Sequence, residues 1–152
     1  MKLATLSVLT IFAAAPALAE GHASGDAAAG EKAFRQCQSC HSITGAEGND
    51  IVKGGKTGPN LYGLPGRTAG TEEGFGKYKA SIMAAGEAGL VWDEEHFVRF
   101  VQDPNTFLKE YLDDGKARAG MAFRVRKEED AVNIWAYIAS VSPAPEMKDS
   151  GS

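Results

Sequence analysis

Cysteine occurs twice in this 152-residue chain, and a histidine follows at once in Cys37-Gln38-Ser39-Cys40-His41. C-x-x-C-H is the spacing of a c-type haem attachment site. Each thiol adds across one porphyrin vinyl group to make a thioether, and the two-residue spacer lets both sulfurs reach one edge of the macrocycle. His41 then falls beneath the ring, where an imidazole nitrogen meets the iron. A chain tethered at two points to a flat group has to build its pocket around that group. Three other chemistries use the same residues. A thioredoxin-like redox pair needs α/β surroundings, and strand-like runs are scarce here. A structural zinc site needs four ligands, and beyond Cys37, Cys40 and His41 the chain offers only His22, His96 or a carboxylate. A structural disulfide would suit an oxidising compartment but closes a tight ring that staples little chain. The haem reading leads.

The N-terminus points the same way. Lys2 supplies a positive start, residues 3–15 an apolar stretch, and Ala17-Leu18-Ala19 a small-residue cleavage signal. That pattern is a secretory signal peptide, removed after Ala19, and not a transmembrane helix. The mature chain is expected to be exported to the periplasm, without stable membrane insertion, because no later apolar run is long enough to span a bilayer. Its length suits one domain, placed at residues 20–142, with a flexible tail at 143–152. A buried haem would add apolar surface that the side chains of so small a core do not supply.

The chain carries 16 basic and 20 acidic side chains, a formal charge of −4. Loss of Lys2 with the leader deepens that by one, and nothing in the composition resembles a nucleic-acid binder. The distribution says more than the total. Asp93, Glu94, Glu95 and Asp103 make one stretch acidic, whereas Lys109, Lys116, Arg118, Arg124, Arg126 and Lys127 gather in another. Beside a redox centre, a local basic patch is a docking surface in outline.

Helical spacing and capping signals mark the elements. Ser24 or Asp26 can cap a helix over residues 27–37, with Gly30, Ala33, Phe34 and Cys37 on one face. Residues 42–76 read as loop, rich in glycine and broken by Pro59 and Pro65; so long a loop in a compact domain is functional. A short helix is expected over 78–85, ended by Gly86. Another spans 93–102, acidic at its start and with Pro104 beyond its end. A turn or two of helix follows over 105–112. The last helix starts at Glu128-Glu129-Asp130, runs an apolar stripe through Ala131, Ile134, Trp135, Ile138 and Val141, and stops at Pro143 and Pro145.

A second axial ligand decides between an open and a closed iron. Met147 lies in the tail, and Met83 sits in a helical stretch where a core role is expected. Met121 follows the flexible run Gly115-Lys116-Ala117-Arg118-Ala119-Gly120, free to drape over a haem. His/Met ligation raises the reduction potential and fills both axial positions.

At this point the chain resembles a class I c-type cytochrome of the bacterial cytochrome c2/c550 branch. The likeness covers residues 25–141. It rests on Gly30, Phe34, the attachment motif, Lys56-Thr57-Gly58-Pro59-Asn60-Leu61-Tyr62-Gly63, Gly66-Arg67, Tyr78, Trp92, Met121-Ala122-Phe123 and Ile134-Trp135-Ala136-Tyr137-Ile138. The resemblance implies an all-α cytochrome c fold, with about four to five helices and long loops around one covalent haem c. It implies that Pro59 offers its carbonyl to His41 Nδ1–H, leaving Nε2 for iron. Arg67, Tyr78 and Trp92 would serve a buried haem propionate. Gly30 and Phe34 would pack on Tyr137 and Ile134, and Phe123 would lie at the exposed haem edge. Phe100 stands where many members carry a tyrosine whose hydroxyl reaches the methionine sulfur.

The function so implied is that of a monomeric periplasmic one-electron carrier, not an enzyme. Electrons would come from a cytochrome bc1 complex and pass to a terminal oxidase, a photosynthetic reaction centre or another periplasmic redox partner. Docking would use Arg35, Lys53, Lys56, Lys109, Lys116, Arg118, Arg124, Arg126 and Lys127. The alternative is a peroxidase-like haem enzyme or sensor in which Met121 is a labile sixth ligand.

Overall fold

The computed structural model describes residues 23–144. The expected signal peptide, His22, Met147 and nearly all of the tail lie outside the described residues. Five α-helices form the body: α1 Ala27–Ala33, α2 Ala80–Glu87, α3 Glu94–Gln102, α4 Pro104–Tyr111 and α5 Glu128–Val141. An antiparallel pair, β1 Ile43–Thr44 and β2 Asp50–Val52, interrupts the long loop.

Asp26 is the cap of α1. Its Oδ1 accepts the N–H groups of Ala28 and Ala29 at 2.8 and 3.0 Å, two of the donors that a helix start leaves unpaired. Ser24, the other candidate, instead donates both its N–H, at 2.7 Å, and its hydroxyl to the Glu94 carboxylate at the start of α3. The helix does not run on to Cys37: it tightens into a 3-10 turn over Phe34–Gln36, as helix ends often do. The attachment motif follows as further turns, with His41 N–H donating to Cys37 O at 2.9 Å.

α1 crosses α5 with almost no side chain between the backbones. A Cβ at Gly30 would stand 1.9 Å from the Asn133 carbonyl oxygen, and one at Gly25 would stand 2.6 Å from that of Val132. Asn133 is buried, and its Oδ1 accepts Asp26 N–H at 2.8 Å. Beside this contact Phe34 meets Tyr137 edge-on, with centroids 5.8 Å apart. The α5 stripe fills the core below, where Ala131, Ile134 and Ile138 are fully enclosed.

Further helix boundaries differ from the sequence expectation. α2 starts at Ala80, not residue 78, and Gly86 lies inside it. Gly86 is needed there for close packing, since a Cβ would stand 2.0 Å from the Ala69 carbonyl oxygen. The chain turns instead at Gly89, where φ is +98°, a conformation that favours glycine. Met83, expected in the core, faces outward and is 45 % exposed. Pro104 does not merely follow α3: it opens α4 at the first helical position, where its missing N–H costs nothing, and Asp103 caps the turn by accepting Thr106 N–H at 3.1 Å. α4 closes with Asp114 N–H on Lys109 O and Asp113 N–H on Glu110 O, and Asp113 adopts φ +48°. That is a Schellman ending with an aspartate where glycine is usual.

The small sheet has an unusual neighbour. Asn60 lies alongside Thr44, accepting its N–H through Oδ1 at 2.9 Å and donating Nδ2–H to its carbonyl at 2.8 Å. The same Oδ1 takes Tyr62 N–H at 3.1 Å.

The α1–α5 contact sets two rules against each other at Gly30. Helix propensity alone says that Gly30→Ala gains about 1 kcal/mol; collision with Asn133 says that it loses roughly 1–3 kcal/mol or more. Denaturant unfolding of the holoprotein is expected to show the loss, and a gain would mean that α1 slides freely on α5.

Candidate haem site

A cavity of about 560 Å3 opens where the attachment motif, the loop at 57–67, α2, α3 and the segment at 119–123 converge. Cys37, Cys40 and His41 line one part of it, with Met121 and Phe123 also on its wall. The remaining walls are mainly apolar: Leu61, Leu64, Ile82, Trp92, Phe97, Phe100 and Val101. Such a wall with a few converging polar groups suits a large flat apolar group. Among the described residues the lining holds one histidine, His41, and one methionine, Met121.

His41 is fixed by its surroundings. Its Nδ1 lies 2.8 Å from the Pro59 carbonyl oxygen; a carbonyl only accepts, so Nδ1 carries the hydrogen and Nε2 keeps its lone pair. Burial holds the imidazole below its ordinary pKa, with the Pro59 carbonyl pulling weakly the other way. The ring packs flush on Gly58, where a Cβ would stand 2.3 Å from Cε1. Gly54 and Gly55 press equally close on the backbone of His41 and Ser39. The glycine-rich stretch after the motif is therefore a seat for the motif.

The two thiols are unlike. Cys37 is half-buried, and desolvation, with Cys40 adding to it, pushes its pKa up to about 11. Cys40 is exposed, and hydrogen bonds from Thr57 and Ser39 lower its pKa.

Arg67, Tyr78 and Trp92 all reach the cavity. The Arg67 guanidinium donates to the Asn60 carbonyl at 2.9 Å and to that of Tyr62. Burial lowers its pKa, and Glu72 and Tyr78 partly restore it. The same burial raises Glu72 and Tyr78, whose phenol oxygen accepts Glu72 N–H at 3.3 Å. A cation set in such a wall can bind an anionic group without drawing it fully into water. Trp92 stacks edge-on against Phe100 at 5.1 Å, and Phe100 against Phe107 at 5.8 Å. Phe123, 44 % exposed, stands at the cavity mouth.

None of the nine expected docking residues lines the cavity itself. Arg35 and Lys56 adjoin lining residues in the chain, and Arg124 and Arg126 border a shallow depression beside Phe123. Lys109 is half-buried on α4, and Lys53, Lys116, Arg118 and Lys127 are exposed. Arg118 turns its guanidinium back onto the carbonyls of Gly115 and Ala117, and Arg124 pairs with Asp103 at 3.1 Å. Lys77 and Lys79 do line the cavity and were missed in the sequence, where their position beside Tyr78 was the available signal. His96 lies away from the cavity, its ring edge-on to Phe107 and Tyr111; Asp93 Oδ1 is 3.0 Å from its Nδ1 but out of hydrogen-bond alignment.

No family model matches the chain. It is 53 % identical over 141 residues to cytochrome c2 of Cereibacter sphaeroides, covering 92 % of this chain and 95 % of that protein. It is 43 % identical over 142 residues to cytochrome c-550 of Paracoccus denitrificans, covering 92 % and 86 %. The crystal structure of cytochrome c2 from Rhodobacter sphaeroides superposes with a TM-score of 0.78 at 54 % identity, covering 80 % of this chain and all of that one.

Asp103 ties the segment after Met121 to the α3–α4 junction, through Arg124 as well as the α4 cap. Its carboxyl is held below the ordinary range chiefly by Thr106 N–H, and also by Arg124. A depressed carboxylate stabilises the fold above its unfolded pKa and stops doing so as pH falls through the folded value. Asp103→Asn keeps an acceptor for the cap but not the ion pair. Denaturant titrations of parent and variant are expected to differ at pH 7 and to converge below the usual carboxylate range. A gap that persists at low pH would show that the charge of Asp103 does not matter.

Proposed function

The chain belongs to the cytochrome c2 branch of the class I c-type cytochromes, with one covalently attached haem c, and from that premise we propose that it is a periplasmic one-electron carrier. The observation that carries this reading is an apolar cavity lined by the His41 imidazole, its Nδ1–H on Pro59 and its Nε2 lone pair free, and by the Met121 thioether. Cys37 and Cys40 are the thioether-forming residues in this proposal, and His41 and Met121 the axial ligands. Bound there, haem supplies a one-electron iron couple.

The residues of the chain do the rest. Pro59 keeps the His41 tautomer, and Gly58 lets the ring lie in place. Arg67, Tyr78 and Trp92 receive a propionate, whose charge the apolar walls would otherwise make costly. Phe100, Leu61, Leu64 and Val101 exclude water, and low water content favours the less charged state of the iron centre. Phe123 covers the edge through which an electron leaves. Were His41 and Met121 both to hold the iron, the chain would leave no coordination position for a substrate, which favours a carrier over a peroxidase-like enzyme or sensor.

The partners in this proposal are a cytochrome bc1 complex as donor and a terminal oxidase or photosynthetic reaction centre as acceptor, met by a monomer released after cleavage at Ala19. No described helix is long and apolar enough to cross a membrane. Lys77 and Lys79 at the cavity, with Arg35 and Lys56 next to its lining in the chain and Arg124 and Arg126 beside Phe123, would steer encounter with an acidic partner, and Lys53, Lys109, Lys116, Arg118 and Lys127 would add to the same field. Each exposed pair contributes about 0–1 kcal/mol, so the effect is collective and falls mainly on association rate.

Met121→Ala is expected to abolish the iron–thioether charge-transfer band, lower the potential and admit cyanide rapidly; an unchanged spectrum and potential would remove Met121 as ligand. Raising ionic strength from 0.01 to 0.15 M shortens the Debye length from roughly 30 to roughly 8 Å. The second-order rate of electron transfer from isolated bc1 complex is expected to fall across that range, and a flat dependence would contradict electrostatic docking.

A further inference from the structure

Residues 112–127 connect α4 to α5 and carry Met121. Between the α4 ending and the first turn of α5, one backbone hydrogen bond ties this segment to another element among the described residues: Val125 N–H to Val101 O, at 2.8 Å. It lies past Met121. On the near side the restraint passes to two side chains. Ser81 Oγ in the first turn of α2 accepts Arg118 N–H at 3.0 Å, and Asn105 Oδ1 in the first turn of α4 accepts Ala119 N–H at 2.9 Å. Two consecutive amides are thus held by two different helices. Next to them the Lys79 side chain lies against Gly120, where a Cβ would stand 3.0 Å from Lys79 Cγ.

We propose that Ser81 and Asn105 are positioning residues that form a two-point latch on the Met121 segment, setting how often the thioether lifts away and small nitrogenous or anionic ligands reach the iron. The proposal rests on Met121 being the sixth ligand. To open, the segment must break both bonds, because they run to separate helices and neither helix can release it alone. The two grips are unequal: the Ala119 bond is partly buried, whereas the Arg118 bond is exposed, so water replaces the latter more readily. The latch acts at the segment and not on the core. Ser81 and Asn105 both begin helices, where their side chains are spare, and Ala119 and Met121 are only partly buried.

The test is the rate at which oxidised holoprotein binds imidazole at saturating concentration, where opening of the segment limits the reaction. Asn105→Ala is expected to raise that rate roughly 2- to 10-fold, the range that corresponds to losing one neutral hydrogen bond. Ser81→Ala is expected to raise it by less, and the double variant by about the product. Asn105→Asp keeps the Oδ1 acceptor and is expected to return the rate to the parent value. Amide hydrogen exchange at Arg118 and Ala119 should quicken in step, with denaturant stability changed far less than opening. A parent-like rate in Asn105→Ala, or faster exchange without faster imidazole binding, would overturn the latch. Against a Met121→Ala background, Asn105→Ala should add nothing. If Met121→Ala alone binds imidazole no faster than the parent, the ligand assignment fails, and the latch with it.

Discussion

Backbone contact between α1 and α5 is the constraint on which the site depends. Gly30 and Gly25 let the two helices approach until carbonyl oxygens of Val132 and Asn133 would meet any added Cβ. Asn133 then fixes the rotation of α1 by taking Asp26 N–H. Because Cys37 follows α1 after a single 3-10 turn, the direction of α1 decides where the attachment motif points. Shifting the crossing by one turn would carry Cys37, Cys40 and His41 some 5 Å along the axis, out of reach of the Gly58–Pro59 seat. The C-terminal end of α5 is tied in as well: Ser142 Oγ accepts Gly63 N–H at 2.9 Å, so one helix anchors both the motif and the loop that receives it.

The loops are ordered by a different means. Between α1 and α2 the chain has few residues able to bury themselves in regular structure, and its backbone groups are met singly. Arg67 caps the carbonyls of Asn60 and Tyr62, Asn60 serves Thr44 and Tyr62, and Gly66 and Ala69 N–H groups reach Trp92 and Leu90 carbonyls. Such bonds specify a path without supplying much apolar burial. Ile43 and Ala69 of this stretch are buried in the core, whereas Leu61 and Leu64 line the cavity, so a group held there would complete the packing around them.

The parts legible in the sequence were those governed by periodicity or by chemistry confined to a few adjacent residues. α5 announced itself through its acidic start and its stripe from Ala131 to Ile138, and α3 through Asp93 and its apolar face. The attachment motif, Pro59 and Arg67 were readable because each carries its chemistry in residue type. What escaped depended on contacts made across space. Gly86 has the look of a helix stop, but the nearness of Ala69 gives it another purpose. Pro104 reads equally as the end of one helix or the start of the next, and only the Asp103 cap decides. Met83 lies on a stretch too short and too uniformly apolar to declare which side faces inward. Ser81 and Asn105 are ordinary helix-start residues until the segment bearing Met121 folds back over them.

The two-stranded sheet is too small to persist by itself, since isolated hairpins are marginal at best. A free strand edge of this kind also invites a neighbouring molecule to pair with it. Asn60 removes that opportunity by imitating a peptide unit, offering an acceptor and a donor to Thr44 in the places a third strand would use. The sheet is therefore closed to self-templated growth from that side, with one carboxamide occupying the β1 edge.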